Sequence, residues 1–324
     1  MVGGLRELAA SAADSLHVSD GATSYSRGRL NELANRTIDA LRRRGVGVGD
    51  PVAILAGNRA DWAVLVSATS LGGMPPVPVN THLTLDETAY ILANAQARTL
   101  FVDRAHAGLG REAAAVAGLA PGQVVDIDEP SWADELAAAS PAEPPDDTPF
   151  AGTIYYTSGT TGRPKGTRMN MVPTGVPVDR YLDGVGPLWE LMEIGPHTRH
   201  LVTGPLYHAA PQTMFASCLD AGATVHVMPR FEPEEALRLV EAHRIDTLIV
   251  VPTMLVRWLR LPDEVRDRHD VTSLRAVTHT AAPCPPEVKR AIIDRWGPVL
   301  REGYGASEIG ALTSISAEEW LERP

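Results

Sequence analysis

Val52-Ala53-Ile54-Leu55, Val77-Pro78-Val79, Thr99-Leu100-Phe101-Val102 and Val124-Val125-Asp126-Ile127 are short apolar runs separated by helix-length segments at Arg59–Leu71, Leu85–Ala95 and Arg111–Ala117. Strand, helix, strand at this spacing implies a parallel sheet whose crossovers are helices. The reading is an α/β chain, with the sheet covered by its own crossover helices.

The same alternation extends in both directions. Upstream, Leu30, Leu33, Ala34, Thr37, Ile38 and Leu41 share one face of a helix over Arg27–Arg44, which Gly45-Val46-Gly47 stops. Downstream, Glu129–Pro149 is acidic and rich in Ala and Pro, and reads as a surface connection. Candidate strands then resume at Thr153–Tyr156, His200–Val202, Thr224–Val227, Thr247–Val251 and Leu274–Val277. Helices are expected at Pro233–His243, Thr253–Arg260 and Pro286–Trp296. No fixed-period repeat is visible. The expectation is two parallel-type β-sheets covered by helices, with subdomains at 1–150 and 151–324.

Composition narrows the chemistry. The 324 residues are 44% hydrophobic, enough for a large core without disulfide or metal staples. Lys plus Arg is 29 against 40 Asp plus Glu, a net charge of −11. That balance argues against coating nucleic acid or binding anionic membrane through bulk charge, while leaving room for a few local phosphate donors. Cys218 and Cys284 are too few for a disulfide framework or a cysteine zinc site, and read as reduced, buried thiols. Residues 1–15 include Arg6 and Glu7 and lack the long apolar core of a signal peptide. The charge-free stretch Trp62–Leu85 is broken by Gly72-Gly73, Pro75-Pro76 and Pro78, which suits a buried helix and strand better than a membrane span. A cytoplasmic protein is expected.

Four segments carry the candidate chemistry. Tyr155-Tyr156-Thr157-Ser158-Gly159-Thr160-Thr161-Gly162-Arg163-Pro164-Lys165-Gly166 directly follows an expected strand. Its glycines allow close backbone approach, and its hydroxyls and Lys165 suit phosphate oxygens. Gly166, where a Walker loop has Ser or Thr, excludes that motif. In Arg301-Glu302-Gly303-Tyr304-Gly305-Ala306-Ser307-Glu308-Ile309-Gly310, the aromatic between glycines can lie against a base. Ser307 can donate to a phosphate there, and Glu308 can hold a nucleotide-bound magnesium ion. The spacing fits neither a nucleophile elbow nor a dinucleotide fingerprint. His279-Thr280-Ala281-Ala282-Pro283-Cys284-Pro285-Pro286 leaves backbone polar groups open to a planar ligand, though alone it reads as a strand-to-helix turn. In Pro205-Leu206-Tyr207-His208-Ala209-Ala210-Pro211, His208 and Ala209 can border an acyl channel.

Taken in order, these segments resemble the adenylate-forming superfamily of acyl-CoA synthetases, firefly luciferases and nonribosomal peptide adenylation domains, from about Tyr25 onward. Within it, Pro205–His208 and His279–Pro286 look most like acyl-CoA synthetases for fatty or bulkier, steroid-like acids. The resemblance implies ATP- and magnesium-dependent activation of a carboxylic acid to acyl-AMP, then transfer to coenzyme A. By motif position, Thr157, Ser158, Gly159, Thr160, Thr161, Gly162 and Lys165 would hold the β- and γ-phosphates. Ala281, Ala282 and Pro283 would border adenine, and Tyr304, flanked by Gly303, Gly305 and Ala306, would stack on it. Ser307 would touch the α-phosphate, Glu308 would bind magnesium, and His208 would sit near the acyl carboxylate. By analogy, Met171–Pro196 would line or cover the acyl site.

Two departures bear on function. Ser307 stands where many relatives have Thr, which keeps the hydroxyl. Relatives also continue beyond the position of Pro324 into a small barrel with a ribose-gripping Asp, and then a mobile C-terminal domain with a Lys used in adenylation. No residue here matches those. The expectation is therefore an ATP- and acyl-binding part with weak or no full turnover alone, which self-associates or pairs with a complementing C-terminal fragment. Three rival readings differ by site chemistry. An aminoacyl-adenylating domain would place an acidic residue near His208, where only His, Ala, Pro and Gln212 stand. A fatty acyl-AMP ligase would use a carrier protein as acceptor, and a non-catalytic module would bind nucleotide or partner only.

Overall fold

The computed structural model describes residues 4–157, 163–168, 175–306 and 310–322. The first strands are β1 (Leu16–Ser19), β2 (Ser24–Ser26), β3 (Val52–Leu55), β4 (Pro76–Pro78), β5 (Thr99–Val102), β6 (Val124–Asp126) and β7 (Ile154–Thr157). They are followed by β8 (Lys165–Arg168), β9 (Arg199–Val202), β10 (Thr224–Val227), β11 (Thr247–Val250), β12 (Ala276–His279), β13 (Leu300–Ala306) and β14 (Gly310–Ser316). Four strands form a wholly parallel sheet in the order β4-β3-β5-β6. Eight form a mixed sheet, β14-β13-β12-β11-β9-β10-β1-β2, parallel except at its two outer pairs. The pair β7–β8 stands apart as an antiparallel hairpin.

The layers follow from which faces are apolar. Helices Arg27–Arg43 and Asp61–Leu71 lie between the two sheets, with Leu30, Ile38, Trp62 and Leu65 packing with Val18, Val225 and Val227 of the large sheet and Ile54 and Phe101 of the small one. Helix Asp61–Leu71 is apolar around most of its circumference, as a helix in a central layer must be. The large sheet's outer face is covered by Leu237, Val240, Trp258 and Ile292 from three helices, and the small sheet's by Ile91, Leu92 and Ala113. The result is helices, sheet, helices, sheet, helices. Local chemistry fixes helix starts: the Ser26 hydroxyl accepts from the Arg29 amide at 3.3 Å, and Thr84 with Glu87 forms a capping box.

Two observations differ from the sequence reading. The large sheet draws β1 and β2 from residues 16–26, pairing Val18 with Val225, so the sheets do not follow a division of the chain at residue 150. Glu129–Pro149 is more than a surface connection, because Pro130–Ala138 is a helix whose Trp132 is buried edge-on against Phe101 at 5.4 Å. The Arg36 guanidinium donates to the carbonyls of Leu136, Ala137 and Ala139 at 3.2, 3.1 and 2.6 Å, fastening the end of that helix. Alanine-rich composition hid the two anchors, Trp132 and Leu136, which are one helical turn apart.

Candidate functional site

Strands β9 to β13 run parallel, so the residues after them emerge at one edge of the sheet, where open α/β folds bind ligands. After β9, the Thr203 hydroxyl donates to the Ile249 carbonyl at 2.7 Å. Asn58, in the turn after β3, fixes the next residues. Its amide nitrogen donates to the carbonyls of Gly204 at 2.8 Å and Met228 at 3.1 Å, and its oxygen accepts from the Leu206 amide at 2.8 Å. One side chain of the small sheet's loops therefore holds two loops of the large sheet. The chain then reaches His208, whose extended backbone precedes helix Ala209–Asp220. The His208 ring leans on Tyr207 with centroids 4.6 Å apart and is itself exposed. Partial desolvation from beneath lowers its pKa below the ordinary histidine value. Ala209 begins the helix, half-buried.

The hairpin has two unlike faces. Residue pairs across it are Ile154–Arg168, Tyr155–Thr167, Tyr156–Gly166 and Thr157–Lys165. Because strand side chains alternate, Tyr155, Thr157, Lys165 and Thr167 share one face and Ile154, Tyr156, Gly166 and Arg168 the other. Buried Tyr155 aims its hydroxyl at Gln212 and, at 3.1 Å, at Thr213 Oγ1. The Thr157–Lys165 face is thus tied to the helix that starts beside His208. Burial pushes the Tyr155 phenol up to about 12, keeping it a neutral donor. Lys165 is exposed and Thr157 half-buried, as the pair next to the hairpin's connecting loop. Ser158, Gly159, Thr160, Thr161 and Gly162 lie outside the described residues.

At the end of β12 the chain turns through Ala281 at φ +72°, a left-handed conformation unusual for a residue with a Cβ. Ala281, Ala282 and Pro283 are all exposed. The neighbouring strand β13 runs through Leu300–Ala306, a segment with no apolar strand pattern of its own. Gly303 sits beside Thr278 and Thr280, where a Cβ would lie 3.8 and 4.0 Å from their side chains. The Tyr304 ring is 68% exposed, and Gly305 and Ala306 beside it are also exposed. Ser307 and Glu308 lie outside the described residues. The structure therefore sets Gly303 beside Thr280, where the Thr280–Pro283 turn begins, and separately joins the hairpin to the His208 helix.

Supporting residues that sequence reasoning missed lie beneath. Buried Lys289, on helix Pro286–Trp296, pairs with Glu302 directly before Gly303, and its ammonium stands 5.2 Å from the Trp320 ring centre. His279 is buried with both ring nitrogens unpartnered among the described residues, and burial lowers its pKa to about 4. Asn58 and Lys289 carried no signal in the sequence, since each becomes distinctive only through a partner in another element.

An exposed aromatic ring between glycines thus stands beside a strained small-residue turn, and a Thr–Lys hairpin is tied to a histidine-led helix. A model of the family described as AMP-binding enzyme matches residues 5–324. Feruloyl-CoA synthase of Amycolatopsis sp is 33% identical over 298 residues, covering 90% of this chain and 56% of its own length. The inhibitor-bound N-terminal domain of FACL13 from Mycobacterium tuberculosis superposes with TM-score 0.83 at 25% identity, over 98% of this chain and 79% of that one. ATP-bound MatB from Rhodopseudomonas palustris gives 0.78 at 25% identity, over 97% and 62%. The chain spans between 54% and 58% of the length of the first curated relatives it matches. No described helix is long and apolar enough to cross a membrane. With these features at the strand ends and a family match along nearly its whole length, the chain belongs to the AMP-binding enzyme family.

Proposed function

We propose that this chain binds ATP against the Thr157–Lys165 face of the hairpin and activates a carboxylic acid as its acyl-adenylate. The observation that supports this most is the two-faced hairpin, whose Thr157 and Lys165 share the side that Tyr155 ties to the helix beginning at His208. A carboxylate oxygen attacks the α-phosphorus, the bond to the bridging oxygen breaks, and pyrophosphate leaves. Two anions must meet in that step. Lys165 and the hydroxyl-rich loop offset the charge of the β- and γ-phosphates, and fixed positioning lowers the remaining barrier. Tyr304 stacks on adenine, with Ala281, Ala282 and Pro283 along its edge. Ser307 contacts the α-phosphate.

Glu308 is the residue proposed to hold magnesium, which when bound neutralises phosphate charge. His208 and Ala209 border the acid, and the half-buried Tyr207 and the helix face bearing Gln212 and Thr213 form its walls. A fatty or aromatic acid fits such a border better than an amino acid, because among the described residues of the His208 segment no carboxylate stands there to meet an ammonium group. In the longer relatives' scheme, coenzyme A is the acceptor: its thiol attacks the acyl carbonyl and AMP leaves as the thioester forms.

Acid-dependent exchange of pyrophosphate into ATP, measured across acetate, fatty, hydroxycinnamic and steroid acids, tests this directly. Exchange with at least one acid is expected, and Lys165→Ala should lower it by about 10²-fold. ATP affinity unchanged by Lys165→Ala would overturn the phosphate assignment. ATP binding without exchange for any acid would make this span a binding part only.

A further inference from the structure

The hairpin's other face borders an open cleft of about 540 Å³, within the range of small-molecule sites. The cleft lies between the base of the hairpin and the residues that lead into β3 and β5. Its chemistry is set by Asp50, Asn94, Gln96, Arg98, Tyr156 and Arg168. The strand alternation described above puts Tyr156 and Arg168 on this side and Lys165 on the opposite one.

The arginines are the unusual feature. In a chain with 40 acidic residues against 29 basic ones, arginine usually finds a carboxylate, and ion pairs engage Arg29, Arg36, Arg43, Arg44 and Arg59 among many others. Arg98 and Arg168 are exposed and have no ion pair, side-chain hydrogen bond or ring contact among the described residues, yet both line one cleft. Asn94 accepts the Tyr156 hydroxyl on its oxygen at 2.7 Å, which leaves the amide's two N–H donors for the cleft. The Asp50 carboxylate spends Oδ2 on the Gly47 amide at 2.9 Å and keeps its other oxygen as an acceptor. Two guanidiniums and an amide donor suit a phosphate, for which arginine's planar fork is well matched. An acceptor carboxylate in the same cleft suits hydroxyl groups attached to that phosphate.

We infer that this cleft binds a phosphorylated polyol, of the sugar- or ribose-phosphate class, on the face of the hairpin opposite Lys165. The inference does not rest on the function proposed for the Lys165 face. A ligand held there would grip β8 from behind, on the strand that carries Lys165.

Ligand-observed NMR titration of the full chain with ribose 5-phosphate and with inorganic phosphate tests it. Binding of ribose 5-phosphate with a Kd of about 0.1–1 mM is expected. Arg98→Gln and Arg168→Gln should each weaken it by about tenfold, with Arg98→Lys recovering part of the loss. Asp50→Asn should weaken ribose 5-phosphate and leave inorganic phosphate unchanged. Circular dichroism melting of each variant separates lost binding from lost fold. No wild-type binding up to about 10 mM, or binding that survives both arginine substitutions, would overturn the site. Loss of binding in Lys165→Ala with Arg98→Gln unaffected would move the anion to the other face. Equal response of both ligands to Asp50→Asn would overturn the polyol part.

Discussion

Asn58 shows how much one residue can organise. Its side-chain amide completes three hydrogen bonds to backbone groups of Gly204, Leu206 and Met228, which belong to segments 146 to 170 residues away in sequence. Removing it leaves one partly buried amide and two carbonyls short of partners, each costing more than the net worth of a typical hydrogen bond. Asn58→Ala should therefore destabilise the fold by about 2–3 kcal/mol in denaturant unfolding. Asn58→Asp, which keeps the acceptor but sets a carboxylate oxygen against the Gly204 and Met228 carbonyls, should cost at least as much as alanine. Ala281 makes the complementary point. Its left-handed backbone is tolerated without an intrinsic preference for it, a pattern that collects where a loop is shaped for a ligand.

At the scale of elements, the hairpin's integrity depends on a glycine that motif reading values for another reason. A Cβ on Gly166 would lie 2.9 Å from Cζ of Tyr156, whose hydroxyl is bonded to Asn94. Gly166→Ala should push the ring aside, break that bond and cost about 1–2 kcal/mol of stability. In a Tyr156→Ala background most of this penalty should vanish, as a double-mutant cycle by thermal unfolding would show. Elements defined by local pattern were legible in sequence. Val52–Leu55, Thr99–Val102, Thr224–Val227, Pro233–His243 and Pro286–Trp296 have the bounds read from periodicity and from proline at the helix start. Strands whose identity lies in their partners were not. Leu16–Ser19 and Ser24–Ser26 have no apolar run of their own and exist because β10 offers an edge. Likewise the Gly303–Ala306 motif was readable as chemistry but not as strand, since glycine and an exposed Tyr carry no burial pattern. The lysine, tyrosine and small-residue turn of the proposed site were singled out by their order along the chain, whereas the supports from Gln212 and Lys289 were not.

Over the whole molecule, buried histidines set the response to acid. His17, His200, His226 and His279 are each held at about 4, chiefly because burial disfavours the imidazolium. The unfolded chain takes up their protons near the ordinary value of 6.5 and the native state does not until about 4. Their contribution to stability is thus full above the ordinary value and is lost as pH falls through that window. Asp220, raised to about 7 by burial, acts in the opposite sense, since the native state keeps its proton where the unfolded chain would release it. Four groups outweigh one, so Tm should fall clearly between pH 6.5 and 4.5. Scanning calorimetry across that range checks this, and a rising Tm on acidification would show that the histidines are hydrated or paired in the native state.

The pairing of β1 with β10 also bears on how the molecule is made. Val18 leaves the ribosome some two hundred residues before Val225, its partner in β10. The small parallel sheet, closed within residues 52–126, can assemble during that interval. The large sheet must wait, holding an unpaired N-terminal ribbon and an apolar central helix layer in readiness. Synthesis therefore separates the two halves of the core in time, and the β1–β10 pairing is among the longest contacts in sequence, the kind that slows folding.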